Sequence, residues 1–182
     1  MDISKGIKTK RLTLRPINKD DFENFLRIIN DKDILENAHY FLENVDLSRP
    51  KLLFKLMISP LETLNPIFSL IILKKDTNDC IGFCGFNLLT ENKEAICFYY
   101  LIPLYRGSGF AIESVKKLIE FGFIELGLDK ISIFINPKSK EIWKVAERCG
   151  LKYLGHVDIP DTSSKAMYFS IGKEEFNTQH FI

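Results

Sequence analysis

Hydrophobic and polar positions alternate along this chain with two different periods, and the changes of period divide it into elements. Within residues 11–15, Leu12 and Leu14 fall on one face between polar neighbours, which predicts a strand that Pro16 ends. Asn18 suits a helix cap, Asp20 and Asp21 complement the first turn, and Phe22, Phe25, Leu26 and Ile29 follow at helical spacing. A second helix is predicted over 47–59, bounded by Pro60. Three strand-like runs come next, over 67–73, 81–89 and 95–102. Short polar connections at 75–78 and 90–93 join them, so they predict an antiparallel meander. Gly82 and Gly85 weaken the middle run or mark a bulge.

Past Pro103 the period becomes helical: Ala111, Val115, Leu118, Ile119 and Gly122 lie on one stripe that continues to about Leu126. Residues 130–135 again read as a strand. Residues 141–149 read as a helix stopped at Gly150, and 157–159 with 166–171 as a hairpin across 160–164. No repeat or low-complexity segment interrupts the pattern. The sum is one mixed α/β domain over 1–182, an antiparallel meander followed by a strand–helix–strand unit.

Composition narrows the function classes. The chain has 182 residues, 46% hydrophobic and 27% charged, enough to bury a core and stay soluble. Its 25 Lys plus Arg against 24 Asp plus Glu leave a net charge of +1, which offers no field for nucleic acid or an anionic membrane. The N-terminus is charged and lacks the apolar core of a signal peptide, and no apolar run approaches the ~20 residues of a membrane helix. A cytoplasmic protein is expected. Cys80, Cys84, Cys97 and Cys149 have neither C-x-x-C spacing nor a nearby His, so no metal site is expected and the thiols read as buried and free.

The chemistry concentrates at Tyr99-Tyr100-Leu101-Ile102-Pro103-Leu104-Tyr105-Arg106-Gly107-Ser108-Gly109-Phe110-Ala111. A strand runs into a glycine turn where a helix starts. A helix start leaves about four N–H groups without partners and carries partial positive charge. The glycines allow positive φ and close approach, so the turn can cradle a phosphate or diphosphate, with Arg106 adding a charge-assisted contact. It is not a P-loop, since no Lys-Ser or Lys-Thr follows the glycines. It is not a dinucleotide fingerprint either, since Ile112 stands where the third glycine falls. The plain alternative is a tight strand-to-helix turn.

The stretch resembles motif A of the GNAT superfamily of acyl-CoA-dependent N-acyltransferases, R/Q-x-x-G-x-G/A, with Arg106, Gly109 and Ala111 at the defining positions. Tyr99-Tyr100-Leu101-x-Pro103 resembles that family's fourth strand. Glu113 and the helix through Phe123-Ile124-Glu125-Leu126-Gly127-Leu128 are similar to the ribosomal-protein N-terminal acetyltransferase branch, the RimJ/RimL type. So are the opening Thr9-Lys10-Arg11-Leu12-Thr13-Leu14-Arg15-Pro16 and Cys149-Gly150-Leu151-Lys152-Tyr153-Leu154-Gly155. The resemblance covers nearly the whole chain in order. It implies a GNAT-like fold with a splayed central sheet. It also implies acetyl-CoA as cosubstrate, its diphosphate on the backbone of Arg106, Gly107, Ser108, Gly109, Phe110 and Ala111. The pantetheine arm would lie along Tyr99, Tyr100 and Leu101, with a bulge parting that strand from the one at 130–135. Such an arm needs a strand edge to pair with.

The implied reaction moves acetyl from the thioester to a primary amine, of a protein N-terminus or a small molecule. The amine must lose a proton, the oxyanion wants a donor, and the leaving thiolate is helped by one. The family's fourth-helix pattern P-x-N-x-x-S-x-x-x-x-x-x-x-G, anchored on Pro137 and Gly150, puts Ser139 where Asn is usual and Ile142 where Ser is usual. Ala146 stands where many relatives have Tyr. The candidate catalytic residues are therefore Glu94, Tyr100 and Ser139, with Ser139 also near the cosubstrate and Asn136 beside it. Glu94 opens the strand and would hold a water, but reads more readily as a solvated turn acid; Glu113 reads equally as a complement to the helix dipole, and His39 as structural. Tyr99 and Tyr100 point to opposite faces of one strand. Arg15 reads as salt-bridged, Trp143 as packing the helix or covering the strand mouth, and Phe22, Phe25, Phe121 and Phe123 as core. Phe176, Phe181 and Ile182 form an apolar tail that docks on this domain or a neighbour. The expected partners are acetyl-CoA and an amine, in a monomer or homodimer. The alternative reading is a non-catalytic CoA-binding module that has lost the helix donor.

Overall fold

The computed structural model describes residues 6–31, 34, 49–58, 67–89, 92–159 and 164–180. Two short strands come first among the described residues, β1 (Ile7–Lys8) and β2 (Leu12–Pro16). A 3-10 turn leads into α1 (Phe22–Ile29), and α2 (Pro50–Met57) follows. The meander is β3 (Ile67–Lys74), β4 (Cys80–Leu89) and β5 (Glu94–Leu101). Then come α3 (Phe110–Ile124), β6 (Lys130–Ile135), α4 (Lys140–Arg148), β7 (Lys152–Asp158), β8 (Lys165–Gly172) and α5 (Lys173–His180). Among the described residues the strands form one eight-stranded sheet in the order β1-β2-β3-β4-β5-β6-β8-β7. Neighbours are antiparallel except β5 and β6, which are parallel.

Strand periodicity sorts the apolar side chains onto two faces. Leu12, Leu14, Leu70, Ile72, Phe86, Ile131, Ile133 and Phe169 meet Val115, Leu118, Ile119 and Phe121 of α3 and Ala146 of α4 in one core. Phe25, Ile28 and Ile29 of α1 and Leu53, Phe54 and Met57 of α2 cover Ile71, Leu73, Phe83, Phe98 and Tyr100 on the other face. Each fully buried Leu, Ile or Phe is worth roughly 1.5–3 kcal/mol of transfer free energy. Phe176 of α5 stacks at 4.9 Å on Phe123, so this part of the apolar tail docks on its own domain. Phe181 and Ile182 lie outside the described residues.

The helix start at Asn18 is capped reciprocally: its side chain accepts from Asp20 N–H at 2.9 Å, and its own N–H donates to Asp21 Oδ2 at 2.9 Å. The bulge near Gly82 is present, since β3 and β4 slip register between Ile72↔Gly82 and Leu73↔Cys80. The bulge implied for the strand at Tyr99 is absent. β5 runs against β4 in unbroken register from Gly82↔Leu101 to Leu89↔Glu94.

The sheet nevertheless parts at that strand. β5 and β6 pair only at Glu94↔Lys130, Ala95↔Ile131 and Ile96↔Ser132. Beyond Ile96, β5 keeps to β4, and beyond Ser132, β6 keeps to β8 as far as Ile135↔Met167. Each strand follows its outer neighbour, so the two inner edges diverge into a V. All four cysteines are buried and free. No helix among the described residues is long and apolar enough to cross a membrane.

Candidate active site

A cleft of about 660 Å³ fills the V. Its walls are Cys97–Leu101 of β5, Ile133–Ile135 of β6 with Asn136, the glycine loop after β5, and one side of α4 with the residues before it. The opening strand pair thus supplies main-chain edges, and the loop and helix close the remaining sides.

The loop follows from its residues. Pro103 starts a 3-10 turn that ends at Arg106, whose N–H donates to Pro103 O at 3.1 Å. Gly107 and Gly109 then take φ of +78° and +79°, the left-handed region open to glycine at little cost. A Cβ on Gly107 would meet nothing within 4 Å. α3 begins at Phe110, and Glu113 N–H makes the bond to Gly109 O at 3.1 Å. No acceptor among the described residues takes the N–H groups of residues 107–112. Unpaired donors at the positive end of a 15-residue helix have the chemistry to accept an anion such as a diphosphate.

Arg106 does not point where the sequence suggested. Its Nε donates to Leu101 O at 3.0 Å and its Nη2 to the Tyr100 hydroxyl at 3.0 Å, and the guanidinium lies 5.2 Å from the Tyr100 ring centre. Asp31 Oδ1 stands 3.8 Å from Nη2. The side chain is folded back along β5 and braces the strand end, while its backbone stays in the loop.

Tyr99 and Tyr100 both line the cleft from opposite faces of β5. Tyr99 lies on the α3 and α4 side, with its hydroxyl donating to Ile142 O at 3.4 Å. Tyr100 lies on the α1 and α2 side, between Arg106 and Asp31. Burial raises the pKa of both phenols above the ordinary tyrosine value, and for Tyr100 the hydrogen bond to Asp31 adds to it. Both stay protonated at neutral pH and act as hydrogen-bond donors.

The other candidates divide. Ser139 stands at the N-cap position of α4 without a side-chain capping bond and lines the cleft, with Asn136 beside it. Leu101, Gly107, Gly109 and Ala111 also line it, and Ser108 and Phe110 belong to the loop between them. Glu94 is not brought to the cleft: it sits at the closed end of the V, held by Lys130 Nζ at 2.8 Å. Five residues of strand, about 16 Å at 3.3 Å per residue, separate it from Tyr99. Glu113 is not among the residues that line the cleft, and it takes a hydrogen bond from Arg11 N–H at 2.7 Å. His39 lies outside the described residues. Lys138, Lys144 and Arg148 line the cleft from α4 and its approach against one carboxylate, Glu141, which leaves that wall a net positive character suited to an anionic cosubstrate.

Residues 11–152 match the family model described as the acetyltransferase (GNAT) domain. The chain belongs to the GNAT family of acetyltransferases. The uncharacterized N-acetyltransferase p20 of Bacillus licheniformis is 32% identical over 132 residues, 72% of this chain and 73% of that protein. With that membership, the reading of the chain as an acetyl-CoA-dependent acetyltransferase stands. Among solved structures, a GNAT-family acetyltransferase from Bacillus anthracis superposes with a TM-score of 0.75 at 17% identity. That match covers 92% of this chain and 98% of the other. The spermidine N-acetyltransferase of Vibrio cholerae, solved with CoA and spermine, gives 0.74 at 17% identity over 92% of this chain and 98% of its own. These likenesses establish the GNAT fold, whose splayed sheet is the one described above.

Proposed function

We propose that this chain transfers acetyl from acetyl-CoA directly to a primary amine, of a protein N-terminus or a small molecule. The observation that carries the proposal is the parting of β5 from β6 beyond Ile96↔Ser132, which opens a cleft running up to the unpaired N–H groups of 107–112. Bound acetyl-CoA supplies the activated acetyl thioester. Residues 107–112 hold its diphosphate through backbone N–H groups, and the exposed edge of β5 at 99–101 pairs with the pantetheine amides. A β5 main-chain N–H polarises the thioester carbonyl. Tyr99, on the α4 side, donates to the sulfur as it leaves. Asp31, beside Tyr100 on the opposite face, supplies a carboxylate that attracts an ammonium acceptor, whose proton leaves to solvent before the amine attacks.

The acceptor reading gains support from the spermidine enzyme above, whose substrate is a primary amine. The resemblance of residues 9–16 and 149–155 to the RimJ/RimL branch supports a protein N-terminus. The reading includes a single catalytic domain acting in the cytoplasm as monomer or homodimer. A second reading, a CoA-binding module without catalysis, is favoured by one observation: Ile142 and Ala146, on the α4 wall and in the core, carry no hydroxyl.

One experiment separates the readings. The protein is melted with and without acetyl-CoA, then mixed with acetyl-CoA and a panel of amines (spermidine, an aminoglycoside, and peptides with Ser or Ala N-termini) while free thiol is followed. A raised melting temperature with thiol release in one arm supports transfer. Binding without release over every acceptor supports the second reading, and absence of binding removes both.

A further inference from the structure

We propose that Arg11 supplies the cation that grips the diphosphate of coenzyme A at the glycine loop, the task Arg106 leaves open by folding back onto β5. The proposal rests on the acetyl-CoA reading and assigns a residue to it. Arg11 precedes β2, yet its guanidinium lies against the start of α3. Nε donates to Glu113 Oε2 at 2.6 Å, Nη1 donates to Ser108 O at 2.9 Å, and the carbon centre sits 4.3 Å above the Phe110 ring. Arg11 N–H and the Thr9 hydroxyl, at 2.7 and 2.6 Å, hold the other oxygen of the same carboxylate.

Three contacts of different kinds fix one planar group, so its remaining donor is aimed. That donor is Nη2, which has no acceptor among the described residues and lies 3.4 Å from the point a Cβ on Gly109 would occupy. The side chain is 42% exposed, so an incoming phosphate reaches it. By holding Ser108 O, Arg11 also fixes the peptide that leads into Gly109. The N–H groups of Nη2, beside the helix start, are the ones left to donate to a phosphate oxygen.

The test uses the full chain with Arg11→Gln and measures affinity by calorimetry for CoA and for dephospho-CoA, which keeps the diphosphate and lacks the 3′-phosphate. Tenfold or greater weakening, equal for the two ligands, supports the proposal. Affinity within twofold of the parent overturns it, and so does a loss confined to CoA, which would move Arg11 to the 3′-phosphate. A second measurement needs no variant. Phenylglyoxal modifies exposed arginines, and peptide mapping with and without CoA reports each one. Protection of Arg11 by fivefold or more supports the proposal, and equal modification overturns it. A parent protein that binds neither ligand refutes the acetyl-CoA reading itself, whereas a binding parent with an indifferent Arg11 refutes this assignment alone.

Discussion

The hydroxyl of Tyr99 reaches across the cleft to the carbonyl of Ile142, 3.4 Å away, so strand β5 delivers a phenol to the helix position where a hydroxyl side chain was expected and an isoleucine stands. The bond is long and its acceptor is a carbonyl already inside a helix, so little holds the phenol there. Its proton is available to a better acceptor, such as a thiolate leaving between β5 and α4. We expect Tyr99→Phe to lower kcat about tenfold, toward the low end of general-acid effects, because a thiolate is itself a good leaving group. CoA affinity should stay within twofold. Steady-state kinetics with the best amine of the panel, set beside calorimetry, checks this. An unchanged kcat would return the donor role to Ser139.

Gly109 is the position where the loop is least replaceable. Its φ of +79° costs a residue with a Cβ roughly 1–2 kcal/mol, and valine adds methyl groups toward Arg11 Nη2, 3.4 Å from the Cβ position. Gly109→Val should therefore weaken CoA binding at least tenfold, by twisting the N–H groups and displacing the arginine. Gly107→Ala meets open space and should cost only the backbone term. Calorimetric titration of both variants orders them, and equal affinities would show that the loop backbone is not the anion site.

Much of this was legible in the sequence, for reasons that local pattern explains. The run at 130–135 alternates β-branched residues and was bounded correctly; Asn18 and Gly150 marked real helix ends, Gly150 at φ +91°. β7 was found only at its last two residues, Val157 and Asp158, because an edge strand with most residues exposed carries no apolar alternation. α5 was missed because Phe176 is its one buried apolar side chain among those described. The site was legible where it depends on consecutive residues, as in the glycine loop. It was not where partners lie far apart: Arg11 meets Ser108 and Glu113 from 97 and 102 positions away. Glu94 opens β5 as read, but strand pairing, invisible locally, puts it at the closed end of the V. The direction of Arg106 depends on Asp31 and Tyr100 and could not be read from its motif.

Arg15 and Asp21 form a two-pronged ion pair, Nη1 to Oδ2 at 2.7 Å and Nη2 to Oδ1 at 2.8 Å, with Asp21 only 2% exposed. The carboxylate also takes Asn18 N–H, so one group ties β2 to the start of α1. Removing a single partner strands a buried charge, which costs about 3–5 kcal/mol. Arg15→Met strands the buried Asp21 carboxylate and should lower unfolding free energy by that order in urea titration. Asp21→Ala leaves Arg15, whose side chain is partly exposed, and should cost less. If both variants unfold at the parent's midpoint, the pair contributes nothing to the fold.

The acid limb of stability should trace in part to Glu113. Burial pushes its carboxyl pKa up, but the hydrogen bonds from the Thr9 hydroxyl, Arg11 N–H and the Arg11 guanidinium outweigh that, and the net shift is below the usual carboxylate value. A folded-state pKa below the unfolded one means the unfolded chain binds the proton more readily. The group therefore stabilises the fold above its unfolded pKa, about 4.3 for a free glutamate, and that contribution fades as pH falls through the lower folded value. Glu113→Gln should be less stable than the parent at pH 7, and the gap should narrow steadily below pH 4.5. Urea titrations of both proteins between pH 7 and pH 3.5 measure it. The same variant loosens Arg11, so at neutral pH its CoA affinity should fall as well, though less than in Arg11→Gln, because the guanidinium keeps its hold on Ser108 O and Phe110. A gap that stays constant across that range would mean that Glu113 is not held ionised by the strand it clasps.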